Sequence, residues 1–288
     1  MPMPISNERM IVMGLLRNIR LARDAARIAA DGRYSVDGNE VVLPRADFRA
    51  VEVVSPEDGA AMLAEYQGRG KPGDCCAIRV AAEDSFEAAM RYERPLVMSF
   101  ANAHFPGGGF WLGANAQEES LCRRSTLYAS ISSKEAACMY RRNNTRLCAV
   151  ESDYMLYSPN VCVFMDGKGE LLRNPFMASV ITVPAPNRRG AAFFASGRRI
   201  DETMLRRIKI MLLVAAKHGH NNLVLGAWGC GAFGNKPRVV AGLFRQALVE
   251  DGFGGMFDKV CFAIRGRTDD AKFLAFKDLE CAEGGISR

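Results

Sequence analysis

The chain has 288 residues, 49% hydrophobic and 24% charged, an ordinary globular composition with room for one large domain or a domain with an extension. No run reaches the ~20 apolar residues of a membrane span, and MPMPISNERM has no basic region followed by an apolar core, so neither a membrane anchor nor a secretory signal is expected. A formal charge of +6 suits an anionic partner, nine cysteines without metal-ligand spacing suit reduced thiols in the cytoplasm, and three histidines are too few for a His-rich metal site.

In chain order, Asn7 to Ala30 reads as a helix, with Met10, Leu15, Ile19, Ala22 and Ala26 at helical spacing and Ser6 or Asn7 as cap. Arg17, Arg20, Arg23 and Arg27 read as its solvated face, with a phosphate contact as the alternative. Gly32 ends it. Glu40 to Leu43 suits a short strand, Ser55-Pro56-Glu57-Asp58 a helix start, and Gly68 to Gly73 a loop. Cys76 to Ala81 is a strand candidate. Asp84, with Glu87 three residues on, opens a helix as a capping box. Pro95 to Phe100 is a continuous apolar run, as in a strand covered on both faces.

Beyond Phe100 comes the glycine triplet Gly107, Gly108 and Gly109, then Gln117, Glu118 and Glu119 at the head of an expected helix, Glu118 to Ala129 and on to about Ser133. Lys134 to Arg146 suits a helix or a surface loop, Tyr154 to Asp166 a turn and a strand, and Ala178 to Val183 a strand ended by Pro184-Ala185-Pro186-Asn187. Arg188 to Arg199 reads as a basic mobile loop. Asp201 to His218 is an amphipathic helix with Asp201 near its start. Asn222 to Ala227 is a strand, followed by a second glycine loop, Trp228 to Asn235 (WGCGAFGN), and a helix, Lys236 to Val249, with Asn235 as cap. Lys259 to Ile264 is the last strand and Phe273 to Arg288 a tail.

Strands alternate with helices, so the class is α/β with a mostly parallel, mixed sheet. Ligands in such sheets bind beyond the C-terminal strand ends, where both glycine loops can meet. Glycine turns before a helix suit anions through free N–H groups and the helix dipole. Carboxylates at that place are odd for phosphate binding and suit general acid/base work. Cys230 lies between glycines, but no histidine is near it in sequence to make it a nucleophile.

The triplet, the spacer Phe110 to Ala116 and Gln117-Glu118-Glu119 together resemble the signature of poly(ADP-ribose) glycohydrolases. Phe100-Ala101-Asn102-Ala103 and Leu121-Cys122-Arg123 look like the compact bacterial-type members built on a macrodomain. The resemblance covers Asp74 to Ile264. It implies a three-layer α/β/α macrodomain with a mixed central sheet as catalytic core (74–288), on which a helical extension (1–73) packs. Hydrolysis of an O-glycosidic ribose bond needs a proton for the leaving oxygen and a base for water. The resemblance gives both tasks to Glu119, and to Glu118 the distal ribose hydroxyls. It implies a hydrogen bond from Asn102 to that ribose and close passage of Gly107, Gly108 and Gly109 past ribose and diphosphate, with Gln117 in the same substrate-binding set. In the second loop, Gly229, Cys230, Gly231, Ala232, Phe233 and Gly234 would offer N–H groups to the diphosphate, and Phe233 would press on the distal ribose. Asp84 would accept from the adenine amino group, or serve only as a cap. The implied substrate is poly(ADP-ribose) or an ADP-ribosylated macromolecule and the product ADP-ribose, with no metal, cofactor or membrane partner and no direct nucleic-acid binding. The alternatives are a mono-ADP-ribosyl hydrolase acting on protein or nucleic acid, and a non-catalytic ADP-ribose reader, which has no need of a paired acid.

Overall fold

The computed structural model describes residues 7–66 and 76–281. Helix α1 (Asn7–Asp31) ends at Gly32, whose φ of +66° favours glycine, and leads into a hairpin of β1 (Arg33–Val36) and β2 (Asn39–Val42). Then follow β3 (Glu52–Val54), α2 (Pro56–Tyr66), β4 (Ala77–Ala81), α3 (Ser85–Ala89), β5 (Leu96–Ala101), α4 (Gln117–Arg124), α5 (Leu127–Ile131) and α6 (Ala137–Thr145). The long strands β6 (Met155–Met165) and β7 (Leu171–Pro184) precede α7 (Gly197–Lys217), β8 (Asn222–Leu225), α8 (Pro237–Arg245), β9 (Lys259–Ala263) and α9 (Ala271–Lys277).

The main sheet has seven strands in the order β3-β6-β7-β5-β8-β9-β4. β7, β5, β8, β9 and β4 run parallel, while β6 is antiparallel to both β3 and β7. Alternate residues of each strand serve opposite faces. Leu96 and Met98 of β5, with Ile181 and Val183 of β7, pack under α2, α7, α8 and α9. Val97 and Val180 point the other way, under α3, α4, α5 and α6. Both faces are apolar because both are covered, which gives the three layers. Hairpin β1–β2 and α1 cover the far ends of β6 and β7 around Phe164. Residues 1–73 thus supply an edge strand of the sheet, β3, as well as α1 and α2.

Several expected boundaries move. The helix expected from Glu118 to Ala129 breaks at Ser125, which takes an extended conformation and bridges to Val163, so α4 and α5 are separate. Helix α7 begins at Gly197 rather than Asp201, because Ser196 Oγ caps it by accepting from the Arg199 N–H at 3.2 Å. Asn235 does not cap α8; Lys236 holds that position and Pro237 starts the helix. The expected tail contains α9, whose Phe273 and Phe276 are buried. Strand β3 was not expected, and β7 starts at Leu171 rather than Ala178. The Gly68 to Gly73 loop, Ser6, Cys75 and residues 282–288 lie outside the described residues.

Candidate active site

A cavity of about 450 Å³ opens where the parallel strands end. Its wall is Asp84 after β4, Phe100 in β5, Ala185 after β7, Ala227 and Gly229 after β8, and Ile264 and Arg265 after β9. This is the edge at which parallel sheets bind ligands, since the strand-to-helix turns there carry free backbone groups. From α4 the same wall takes Gln117, Ser120, Leu121 and Arg124.

The WGCGAFGN loop forms one side of the cavity through Gly229, Gly231, Ala232 and Phe233. It is anchored by fully buried Trp228, whose Nε1 donates to Val183 O at 2.9 Å. Gly229 has φ +70°, and a Cβ on it would stand 2.6 Å from Asn235 Nδ2. Asn235 closes the loop: its N–H donates to Gly229 O at 3.0 Å and its Nδ2 to Pro186 O at 2.9 Å. Gly231 meets nothing within 4 Å of where a Cβ would sit, so the loop crown is open. The Phe233 ring is half-buried, packed on the core on one side and lining the cavity on the other. Cys230 does not line the cavity, and burial pushes its thiol up to about 12, so it stays protonated and is no nucleophile.

Glu118 and Glu119 sit in the first turn of α4, where the helix dipole favours carboxylates. At about 100° per residue, they project from the side of α4 that Gln117, Ser120 and Leu121 leave unoccupied. Accordingly the cavity wall contains Gln117 but not the pair, which lies under the glycine triplet. Gly107 and Gly108 have φ of +66° and +55°, and a Cβ on Gly108 would come within 2.6 Å of Glu119 Oε1. Glu118 Oε2 accepts from the Asn102 N–H at 2.7 Å, and Glu119 Oε1 from the Gly109 N–H at 3.0 Å. The other oxygen of each carboxylate, Glu118 Oε1 and Glu119 Oε2, is buried without a protein partner. Burial pushes the Glu118 carboxyl well above the usual carboxylate range; the Asn102 N–H opposes this and the Glu119 charge adds to it. Two adjacent carboxyl groups, each with one oxygen committed to a backbone N–H and one left over, can hold a polyol and move a proton.

Asn102 is a turn residue in the structure: its Oδ1 accepts from the N–H groups of His104 at 2.8 Å and Phe105 at 3.0 Å. Gln117 is a clamp, with Oε1 accepting from Phe100 N–H at 2.9 Å and Nε2 donating to Met98 O at 2.8 Å, so it fixes α4 on β5. Asp84 both caps α3 and lines the cavity. Burial alone would raise its carboxyl, but Arg124 at 2.8 Å and the N–H groups of Glu87 and Phe86 outweigh that and hold it below the usual range. Its charge is therefore available to the cavity at neutral pH.

Arg124, Arg265 and Lys272 line the cavity without having been marked by the sequence. Arg124 lies seven residues after Gln117, two turns along the same face of α4, and that spacing could have revealed it. Arg265 follows the last strand directly, at the edge where ligands bind. Lys272 carried no local signal, since tertiary contacts alone give it its place, and Asn235, marked as a helix cap, serves instead to close its loop.

Layered α/β/α architecture, two glycine loops meeting at the sheet's C-terminal edge and a carboxylate pair beneath one of them define a macrodomain-like glycohydrolase. Residues 22–166, more than half the chain, match the family model for the microbial-type PARG catalytic domain, PARG being poly(ADP-ribose) glycohydrolase. The structure is similar to that of poly(ADP-ribose) glycohydrolase from Thermomonospora curvata, at TM-score 0.83 and 36% identity over 90% of this chain and 98% of that one. It is also similar to the Deinococcus radiodurans enzyme in complex with ADP-ribose, at TM-score 0.73 and 36% identity, over 82% of this chain and 97% of that one. No curated protein matches the chain. The chain belongs to the microbial-type poly(ADP-ribose) glycohydrolase family and is a glycosidase-type hydrolase. Among the described residues no helix is long and apolar enough to cross a membrane.

Proposed function

We propose that this protein hydrolyses the O-glycosidic ribose–ribose bonds of poly(ADP-ribose) and releases ADP-ribose, with Glu119 as general acid and base. The observation that carries this reading is the buried Glu118–Glu119 pair under the glycine triplet, each member keeping one oxygen uncommitted. ADP-ribose occupies the cavity with its adenine toward Asp84, its diphosphate on the N–H groups of Gly229, Gly231, Ala232 and Phe233, and its distal ribose reaching past Phe233 toward the carboxylates; the N–H groups of Cys230 and Gly234 are spent within the loop, on Ala227 O and Gly231 O. Glu118 holds the distal ribose hydroxyls with Oε1, the oxygen it leaves uncommitted. Glu119 gives its proton to the leaving ribose oxygen as the glycosidic C–O bond breaks. The oxocarbenium-like ribose is stabilised by the nearby diphosphate. A water then attacks the anomeric carbon and returns a proton to Glu119, closing the cycle with the C–OH of ADP-ribose.

The glycine triplet supports this role differently from the way its lack of side chains first suggests. Its close approach is to the carboxylates, and Gly109 holds Glu119 in place. Polymer or another ADP-ribosylated macromolecule is the partner, and the reducing cytoplasm is the setting that suits nine cysteines. Glu119→Gln tests the assignment. It should keep ADP-ribose affinity within a few-fold and lower turnover of automodified polymer by ~10²–10⁴, the usual contribution of a positioned acid/base. Normal turnover in this variant would sink the assignment.

A further inference from the structure

The segment from Arg188 to Arg199 takes no part in the site described so far. It leaves β7 at the ligand edge and is tied to the loop that carries Phe233. The Arg188 N–H donates to Phe233 O at 3.0 Å, its Nε donates to Asn235 Oδ1 at 3.0 Å, and its Nη2 donates to Asp201 Oδ1 at 2.8 Å. Ala192 is buried at 1% exposure and pins the middle of the segment to the core. Directly after it, Phe193 and Phe194 stand 73% and 87% exposed, their rings edge to face at 5.4 Å. Adjacent aromatic rings held out in water by a pinned turn are costly to leave uncovered and mark a contact surface.

The charges that the same segment carries say what kind of surface it is. The Arg189 side chain lies across Gly234, where an added Cβ would meet its Nε at 3.0 Å. Arg198 is paired with Glu202, but among the described residues neither Arg189 nor Arg199 has a carboxylate partner. Exposed rings and uncommitted guanidinium groups carried on one short segment are what single-stranded nucleotide chains require, because every base has a face to stack and every diphosphate a charge to meet.

We infer that this segment is the subsite for the adenine nucleotide on the leaving side of the scissile bond. Phe193 or Phe194 stacks its base, and Arg189 and Arg199 face its diphosphate. The inference rests on the proposed function: the reacting ribose lies against Phe233, so the next unit of the polymer begins beside the backbone that Arg188 ties to Phe233.

The test is a Phe193→Ala/Phe194→Ala double variant assayed on automodified polymer, with ADP-ribose affinity measured by calorimetry. The rings are exposed, so the fold should survive; an unchanged melting temperature checks this. Loss of one stacked base, at ~1–3 kcal/mol, raises KM for polymer about thirty-fold at the middle of that range, with kcat within about two-fold. ADP-ribose affinity stays unchanged, because the product fills only the cavity. Arg189→Gln/Arg199→Gln should flatten the dependence of KM on salt. An unchanged KM, or an equal loss of ADP-ribose affinity, would overturn the subsite while leaving the glycohydrolase reading intact. Failure of the wild-type protein to release ADP-ribose from polymer would instead reject both.

Discussion

Gly108→Ala is the sharpest perturbation the structure offers, because it moves the proposed acid/base without touching it chemically. Gly108 has φ +55°, and a Cβ there would stand 2.6 Å from Glu119 Oε1, against the 3.4 Å at which ordinary contact begins. The methyl cannot recede, since backbone on both sides holds it, so the carboxylate must give way by the difference, 0.8 Å. That shift also stretches the 3.0 Å bond from the Gly109 N–H, which fixes the carboxylate's direction. A misplacement near 1 Å at a reacting group costs about 10²-fold in rate. We therefore expect kcat on polymer to fall about a hundred-fold, with ADP-ribose affinity within a few-fold, because the cavity proposed for adenine and diphosphate is lined by other residues. An alanine in the left-handed region also costs roughly 1–2 kcal/mol, a few degrees of melting temperature in a domain this size. Gly38→Ala separates the two effects. Gly38 has φ +80° with nothing within 4 Å of the added methyl, so it carries the backbone cost alone. Steady-state kinetics, calorimetry with ADP-ribose and thermal melting on both variants are the assay. If Gly108→Ala turns over polymer as fast as Gly38→Ala, the carboxylate position is not what limits the rate and the reasoning fails.

Glu118→Gln should stabilise the protein increasingly as pH rises. Burial lifts the folded-state carboxyl above its unfolded value, so the fold holds a proton the unfolded chain has released, and stability falls as pH climbs from the ordinary glutamate range through the raised value. The melting advantage of the variant should be absent near pH ~4 and grow toward neutrality; a gap independent of pH would contradict it. Phe233→Ala should lower the single-turnover rate more than ADP-ribose affinity, since in the proposed pose the ring orients the ribose while the loop N–H groups remain. Its half-buried ring should cost less than the ~3 kcal/mol of a fully buried phenylalanine, and normal turnover in a folded variant would remove the ring from the mechanism. Turnover should persist in excess EDTA, because one carboxyl can give and take the proton in sequence. Inactivation restored by a single divalent ion would point to a different chemistry.

What was legible in the sequence was local or periodic. The apolar run Pro95 to Phe100 announced a strand covered on both faces, because burial on two sides removes the polar alternation. Asp84 with Glu87 announced a capping box, because three residues is one helical turn. The glycine triplet and the adjacent Glu118 and Glu119 stood out because the chemistry and the backbone freedom lie within a dozen residues of each other. What required the tertiary structure was everything set by contacts distant in sequence. The α4 helix stops at Arg124 because Ser125 bridges to Val163, nearly forty residues on. Asn235 looks like a helix cap by position, yet it is spent closing its own loop against Pro186, across a gap that only the sheet creates by setting β5 between β7 and β8. Phe273 and Phe276 become core only because α8 and β9 offer them an apolar surface. The glycines' partner was likewise decided in three dimensions. A residue without a Cβ permits close approach, but only the fold brings the carboxylates of α4 beneath Gly108 and Gly109, and a chain read in one dimension has no measure of that distance.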